Sequence, residues 1–205
     1  YFRLMAIAIN GSTNVITGVA VGGLPDAIVD ADMLAANAVT AGKLASGVGG
    51  KILQVVSTTV TAASTATMSA SGEVTLISRT YTPTVSSSNA LIHVSLHLDL
   101  GGSYGGMFLR LLRDSTVVSQ GDAASNRRQV TIAPDTSNTT FGGALLGFTV
   151  LDTGISGTSE VTYKINLFDQ SGGGGTYYFN TGSDNSDNNY VLRAVSTLTV
   201  MEVAA

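Results

Sequence analysis

Two histidines are the side chains of this sequence best suited to metal binding or proton transfer, and the chain has no others. His93 and His97 lie on one predicted strand, on the face that also carries Leu91, Ser95 and Asp99. Residues four apart on a strand are about 13 Å from each other, so one chain cannot place both rings on one ion. A threefold axis would bring together three copies of either ring, but a surface or interface position explains them equally well. We therefore predict no metal site within a single chain.

The other sequence patterns of catalysis are missing or incomplete. The chain has no Gly-x-Ser-x-Gly elbow between a strand and a helix, and no carboxylate pair recurs at a fixed spacing. The acidic run 184–189 lacks the central Gly and the closing Glu of an EF-hand loop, so we interpret it as a solvated turn. The sequence predicts a protein that is not an enzyme and has no cofactor.

Three loops carry side chains of the kind that recognise sugars. Sugar rings stack on aromatic faces, while Asn, Asp and Arg donate and accept hydrogen bonds with neighbouring hydroxyls. These loops are 101–106, 121–128 and 172–189, and each is also explained as an ordinary connection between strands. The candidate receptor-binding residues are Tyr104, Asp122, Asn126, Arg127, Tyr177, Tyr178 and Asp184.

Composition argues for an assembled protein with few charges. Charged residues make up 12% of the chain, against about 25% in an average globular domain, and mean hydropathy is +0.30. No apolar run approaches the ~20 residues of a membrane span, so we expect apolar surface to be buried between subunits and not in a bilayer. Net charge is −4, and the single basic pair Arg127-Arg128 is too small for nucleic-acid binding.

Cysteine is absent, which excludes disulfides and thiolate metal sites. No signal peptide is recognisable around Met5. We therefore expect the protein to fold and assemble in a reducing cytoplasm.

A ten-residue pattern occurs twice in succession within residues 27–46. Asp30 and Thr40 begin the units as N-caps of short helical turns. Each unit is too short to bury its own apolar residues, and the nearest neighbours are the same segments of other copies. The apolar residues that we expect to pack in this trimeric neck are Val29, Met33, Leu34, Val39 and Leu44.

Three regions follow from these patterns: an extended N-terminal arm over 1–24 with a short strand at 14–20, the neck over 25–50, and a β head over 51–205. From Lys51 onward the hydrophobic period is two. The predicted strands of the head are 52–57, 73–81, 90–100, 107–113, 116–120, 128–133, 141–151, 160–168, 176–180 and 191–203. Many short strands without intervening helices favour a mainly β head, an antiparallel β-sandwich or jelly roll, with a closed barrel as the alternative.

Segments 27–59, 107–132 and 195–205 resemble tail fibre proteins of tailed phages, particularly cyanophage-like ones. The resemblance implies a homotrimer whose N-terminal arm attaches to the virion, whose neck is intertwined, and whose jelly-roll head touches the host surface. It adds the trimer, the virion and the host to what the residues themselves indicate.

The expected function is therefore that of a phage tail fibre or receptor-binding structural protein. We expect a homotrimer that docks on a tail or baseplate protein through its arm and adheres to host surface polysaccharide. Its expected location is the virion, after assembly in the host cytoplasm. A capsid fibre or head decoration protein is the alternative, and a secreted lectin or tumour-necrosis-factor-like ligand fits the head but not the missing signal peptide.

Overall fold

A computed structural model describes residues 8–10, 15–17, 39, 51–101, 106–134, 143–169, 172–184 and 186–205. The chain divides into two compact units, Tyr1–Gly49 and Gly50–Ala205. The finer division into arm, neck and head stays a prediction. Five of the predicted site residues lie outside the described residues: Val29, Met33, Leu34, Leu44 and Tyr104.

In the first unit the described residues include a short antiparallel pair of strands. β1 (Ala8–Asn10) pairs with β2 (Val15–Thr17). The sequence predicted a strand at 14–20 but no partner for it. Val39, a predicted neck residue, is 48% exposed in the single chain.

The second unit is built from strands, and none of its described residues is helical. Its strands are β3 (Ile52–Val60), β4 (Ser64–Met68), β5 (Glu73–Tyr81), β6 (Asn89–Asp99), β7 (Met107–Arg113), β8 (Thr116–Ser119), β9 (Ala144–Asp152), β10 (Val161–Asp169), β11 (Gly175–Phe179) and β12 (Ser196–Val203). Within the described ranges, no helix has the length and apolar character needed to cross a membrane.

These strands form two antiparallel sheets. The smaller sheet has the order β5-β10-β7-β8. The larger sheet is built around β6, which pairs with β9 along one edge and with β12 and then β11 along the other. β3 lies outside β12, and β4 lies outside β11. The predicted mainly β, antiparallel class is confirmed, and the two sheets are consistent with a β-sandwich.

One hydrophobic core joins the two sheets. On β6 the inward positions Ile92, Val94 and Leu96 are fully buried, as the period-two pattern predicts. Residues from both sheets complete this core, among them Leu109 and Ile165 of the smaller sheet. The outward positions of every strand are therefore the ones left for binding and assembly.

Strand predictions differ from the structure in three places. β4 was not predicted, because Met68 is its only large apolar residue, and pairing with β11 supplies its hydrogen bonds. The predicted strand 128–133 is wrong: only a bridge between Leu109 and Ile132 forms, and the nearby Pro134 has no N–H with which to extend a ladder. The predicted strand 191–203 begins at Ser196, because residues 191–195 belong to the connection from β11.

Among the described residues of the second unit, four carboxylates are buried: Asp99, Asp152, Asp169 and Glu202 are each no more than 5% exposed. Burying an ionised carboxylate is costly unless it accepts hydrogen bonds. All four accept hydrogen bonds from backbone N–H groups of loops. The loops are thereby tied to the ends of the strands.

Asp99 and Asp169 hold loops at the end of the unit where β7 begins. Asp99 accepts hydrogen bonds from the N–H groups of Gly101 (2.9 Å) and Ser183 (2.7 Å). Asp169 accepts one from Gly174 (2.8 Å). Gly174 has a φ of +65°, and a Cβ added there would meet a carbonyl oxygen at 2.5 Å, so this turn requires glycine.

Asp152 is the centre of a buried ion pair at the opposite end. Its Oδ2 accepts hydrogen bonds from Nη1 of Arg113 (2.5 Å) and from the hydroxyl of Tyr163 (2.8 Å). Its Oδ1 accepts one from the N–H of Gly154 (2.8 Å). Burial and the bond to Asp152 both raise the pKa of Tyr163, so this hydroxyl stays protonated and remains a donor.

Glu202 of β12 anchors the loop that leaves β5. It accepts hydrogen bonds from Nε2 of Gln54 (2.7 Å), from N (2.8 Å) and Oγ1 (2.8 Å) of Thr84, and from N of Val85 (3.2 Å). Burial by itself raises the pKa of Glu202, but these donors and Ser88 outweigh burial and lower the pKa to about 2. The carboxylate therefore stays ionised at every pH at which the protein is expected to work.

This depressed pKa predicts a pH-dependent contribution to stability. The stabilisation by Glu202 is complete above its ordinary pKa of 4.5 and is lost as the pH falls towards 2. We expect Glu202→Gln to lower the free energy of unfolding by about 3 kcal/mol at pH 7 and by much less at pH 2. Denaturant unfolding of both proteins across this range measures the difference. Glu160→Gln, at an exposed position, is the matched control, and a deficit that stays constant with pH would contradict the assignment.

Candidate ligand-binding surface

The outer face of the smaller sheet carries charged and aromatic side chains in cross-strand rows. Period-two alternation turns the even-numbered residues of β7 and β10 away from the core. The pairing registers define three rows across β5, β10 and β7: Glu73-Phe168-Phe108, Thr75-Asn166-Arg110 and Ser78-Lys164-Leu112. Phe108, Arg110, Asn166 and Phe168, together with Arg128 from the neighbouring loop, are called the Arg–Phe surface below.

Two guanidinium groups lie over the two phenyl rings of the Arg–Phe surface. Cζ of Arg110 is 3.6 Å from the ring centroid of Phe168, and Cζ of Arg128 is 5.4 Å from that of Phe108. The ring centroids are 5.9 Å apart. Stacking uses the face of a guanidinium and leaves its N–H edge for planar acceptors. Nε of Arg110 is buried and has no hydrogen-bond partner among the described residues.

Asn166 is fixed between two neighbours on β5. Its Nδ2 donates to Oε1 of Glu73 (2.9 Å), and its Oδ1 accepts from Oγ1 of Thr75 (2.8 Å). Glu73 is exposed, so its other carboxylate oxygen faces solvent at the edge of the Arg–Phe surface. The arrangement places a hydrogen-bond acceptor beside the stacked guanidinium groups.

The loop 121–130 brings Arg128 to this surface. The N–H of Gly121 donates to the carbonyl of Val130 (3.1 Å) and closes the base of the loop. Thr131 fastens that base to the sheet, because its Oγ1 donates to the carbonyl of Ser119 and accepts from the N–H of Leu111 (2.9 Å). The loop is therefore positioned by the edge of the smaller sheet.

Three predicted receptor-binding residues share this loop. Asp122, Asn126 and Arg127 are all exposed. The N–H of Arg127 donates to the carbonyl of Ala124 (2.9 Å), which makes a turn just before Arg128. These three predicted residues thus belong to the same loop as Arg128, which is part of the Arg–Phe surface.

The other predicted residues lie elsewhere. Tyr177 is 8% exposed and belongs to the hydrophobic core, so its ring is not presented at the surface. Tyr178 is half-buried against Gly101. Asp184 accepts a hydrogen bond from the N–H of Ser186 (2.9 Å), which lowers its pKa and forms a turn. These residues lie on β11 of the larger sheet or on the connection that follows it.

Both histidines lie on the outer face of the larger sheet, as predicted. His93 is exposed, and its Nδ1 is 3.0 Å from Oγ1 of Thr149 on β9. His97 is half-buried, and burial lowers its pKa, so the ring is neutral at pH 7. In the described part of the chain, no group of three or more His, Cys, Asp or Glu side chains is placed to hold a metal ion.

The outer face of the larger sheet carries no formally charged side chain in its central rows, and exposed apolar residues lie on both sides of rows of Ser, Thr and His. One cross-strand row consists of Val55, Met201, Leu91 and Leu151, and Val55 (56%) and Leu151 (51%) are exposed. Leu145, beside His97, is 70% exposed. Two further rows lie between the Val55 row and Leu145: Ser57-Thr199-His93-Thr149 and Thr59-Thr197-Ser95-Gly147. These rows, which contain no Asp, Glu, Lys or Arg, are called the apolar sheet face below.

No protein-family model matches this chain, and a search of curated proteins finds no match to it. The surfaces described above are therefore the basis for its functional interpretation.

Sequence reasoning missed the central residues of the Arg–Phe surface. Phe108, Arg110 and Phe168 lie within strands, whereas the candidate residues were sought in loops. The signal was available in the alternation of β7 and β10, where, apart from Leu112, every second residue is polar, charged or aromatic and lies on the side away from the core. Only the pairing of β7 with β10 shows that the outward residues of β7 lie beside those of β10.

Thr131 offers a test of how the loop is held. We expect Thr131→Val to lower the free energy of unfolding by about 1–2 kcal/mol, because the carbonyl of Ser119 and the N–H of Leu111 lose their partner. Amide hydrogen exchange should quicken at Gly121 and Arg127 more than in β10. Thr65→Val, at an exposed position on β4, is the control. Unchanged exchange in the loop would show that Thr131 does not fasten it.

Proposed function

We propose that this protein is a tail fibre or receptor-binding structural protein of a phage, active as a homotrimer that adheres to host surface polysaccharide. Residues 1–24 attach it to a tail or baseplate protein, residues 25–50 form the neck, and residues 51–205 form a jelly-roll head. The protein resides in the virion after assembly in the host cytoplasm. It acts by adhesion and carries out no chemical reaction.

The strand order supports a jelly-roll head. When β4 and β11 are set aside, the second unit has eight strands, in the orders β3-β12-β6-β9 and β5-β10-β7-β8. If these eight strands are renumbered 1 to 8 along the chain, the orders read 1-8-3-6 and 2-7-4-5. The first and last of these strands pair, and several connections cross between the sheets. Such an order is typical of a double-sheet jelly roll.

The apolar sheet face is the observation that carries the proposal. Large exposed apolar patches mark association sites, because their burial removes apolar area from water. Contact between identical copies brings like residues close together, and a face without formal charges avoids repulsion. The lowered pKa of His97 keeps that ring neutral at pH 7. Trimerisation also multiplies weak saccharide contacts, raising avidity by ~10² to 10⁴ when three sites reach one polymer.

The mass in solution tests the assembly. We expect light scattering to give about three times the chain mass of 20.9 kDa. Val55→Lys combined with Leu151→Lys should lower the mass towards that of one chain, because the charges would be buried without partners. Ser78→Lys, at an exposed position on the other sheet, is the matched control and should leave the mass unchanged. A wild-type protein with the mass of one chain would refute the homotrimer.

Deletion of the arm tests its role in attachment. We expect protein lacking residues 1–24 to keep the circular dichroism and melting temperature of the head, since the second unit has its own core. The same protein should no longer be incorporated into phage particles. Incorporation at the wild-type level would contradict attachment through the arm. Labelled protein found on capsids and not on tails would favour the head decoration role.

A further inference from the structure

We propose that the Arg–Phe surface binds acidic saccharides, with the carboxylate or sulfate of the sugar on Arg110 and Arg128 and a sugar hydroxyl on Glu73. The inference rests on the proposed function and specifies the class of polysaccharide and the surface that binds it. The saccharide would then contact the outer face of the smaller sheet, and not only the loops in which the sequence predicted the contact.

The charge distribution favours an anionic ligand. The chain has a net charge of −4, yet the outer positions of β5, β10 and β7 carry Arg110 and Lys164 against one carboxylate, that of Glu73, and the adjoining loop adds Arg127 and Arg128 against Asp122. Arg113 of the same sheet is paired with the buried Asp152 and adds nothing to this charge. Cations held together at an exposed face attract anions over roughly a Debye length, about 8 Å in physiological salt.

The geometry of Arg110 favours a planar or forked acceptor. Stacking on Phe168 at 3.6 Å holds the guanidinium in place before a ligand arrives, which reduces the entropy lost on binding. Its side chain makes no hydrogen bond or ion pair with other described residues, and because its Nε is buried, a ligand would be held by the two terminal Nη groups. Arginine pairs with carboxylate and sulfate-like oxygens through two parallel hydrogen bonds.

The neighbours of Arg110 favour a sugar over a small inorganic anion. Glu73 and Arg110 lie on the outer strands of a three-strand set in neighbouring rows, so that their Cα atoms are about 12 Å apart, two strand spacings across and two residues along. Asn166 between them is fixed by hydrogen bonds to Glu73 and Thr75. An exposed carboxylate accepts hydrogen bonds from hydroxyls and repels anions, so Glu73 suits a ligand that carries both hydroxyls and a separate acidic group.

Binding of the full chain to four immobilised polymers tests this inference. The polymers are dextran sulfate, polygalacturonate, uncharged dextran, and duplex DNA matched to dextran sulfate in total charge. We expect at least one acidic polysaccharide to bind about tenfold or more tightly than both dextran and DNA, with affinity falling as salt rises. The first two polymers distinguish sulfate from carboxylate. Equal binding of dextran, or DNA binding as tight as that of the acidic polysaccharides, would overturn the proposal.

Variants locate the site. Arg110→Gln should weaken binding about tenfold, and Arg110→Lys should recover only part of it, because Lys keeps the charge but not the fork. Arg128→Gln, on an exposed loop position, tests the same site in case the Arg110 variants fold poorly. Arg193→Gln, an exposed arginine on the connection to β12, should bind like the wild type. Wild-type binding by both Arg110→Gln and Arg128→Gln would overturn the assignment.

The mass of each sample, measured by light scattering, separates this inference from the function on which it rests. A trimer without affinity for acidic polysaccharides would refute the ligand class alone. A monomer that still prefers acidic polysaccharides would refute the trimeric fibre and leave the surface assigned. Melting temperatures within a few degrees of the wild type show that a loss of binding does not come from unfolding.

Discussion

Buried carboxylates are the constraint on which the loops of the head unit depend. An ionised carboxylate removed from water must find donors, and in this protein the donors are mostly backbone N–H groups of loops. Asp99 and Asp169 hold one end of the unit, and Asp152 and Glu202 hold the other. The loops are thus fixed without disulfides, which a chain lacking cysteine cannot form.

With its ends fixed in this way, the unit presents two outer faces of opposite character. The larger sheet turns rows of Ser, Thr and apolar residues outward, whereas the smaller sheet turns Arg110, Lys164 and Phe108 outward, with Arg110 covering Phe168, and the adjoining loop adds Arg128. A face without charges suits association with identical copies, and a face with stacked guanidinium groups suits an anionic ligand. The two proposals therefore place assembly and adhesion on opposite sides of one core.

Much of the candidate site was hidden from sequence reasoning for a physical reason. Exposed loop residues such as Asn126 and Arg127 attract notice because they interrupt the hydrophobic pattern. Arg110 and Phe168 lie within that pattern, 58 positions apart in the sequence, and become neighbours only through the pairing of β7 with β10. Tyr177 shows the converse, because a tyrosine expected at the rim packs in the core, where alternation along β11 places it.

The sequence by itself determined the mainly β class of the head, the bounds of β5 and β7, and the alternation that buries Ile92 and Val94, because these depend on local period and turn residues. Only the tertiary structure decided which strands are neighbours, which carboxylates are buried, and which side chains meet on each outer face. Pairing between distant strands depends on the packing of the whole core, and no local pattern encodes it.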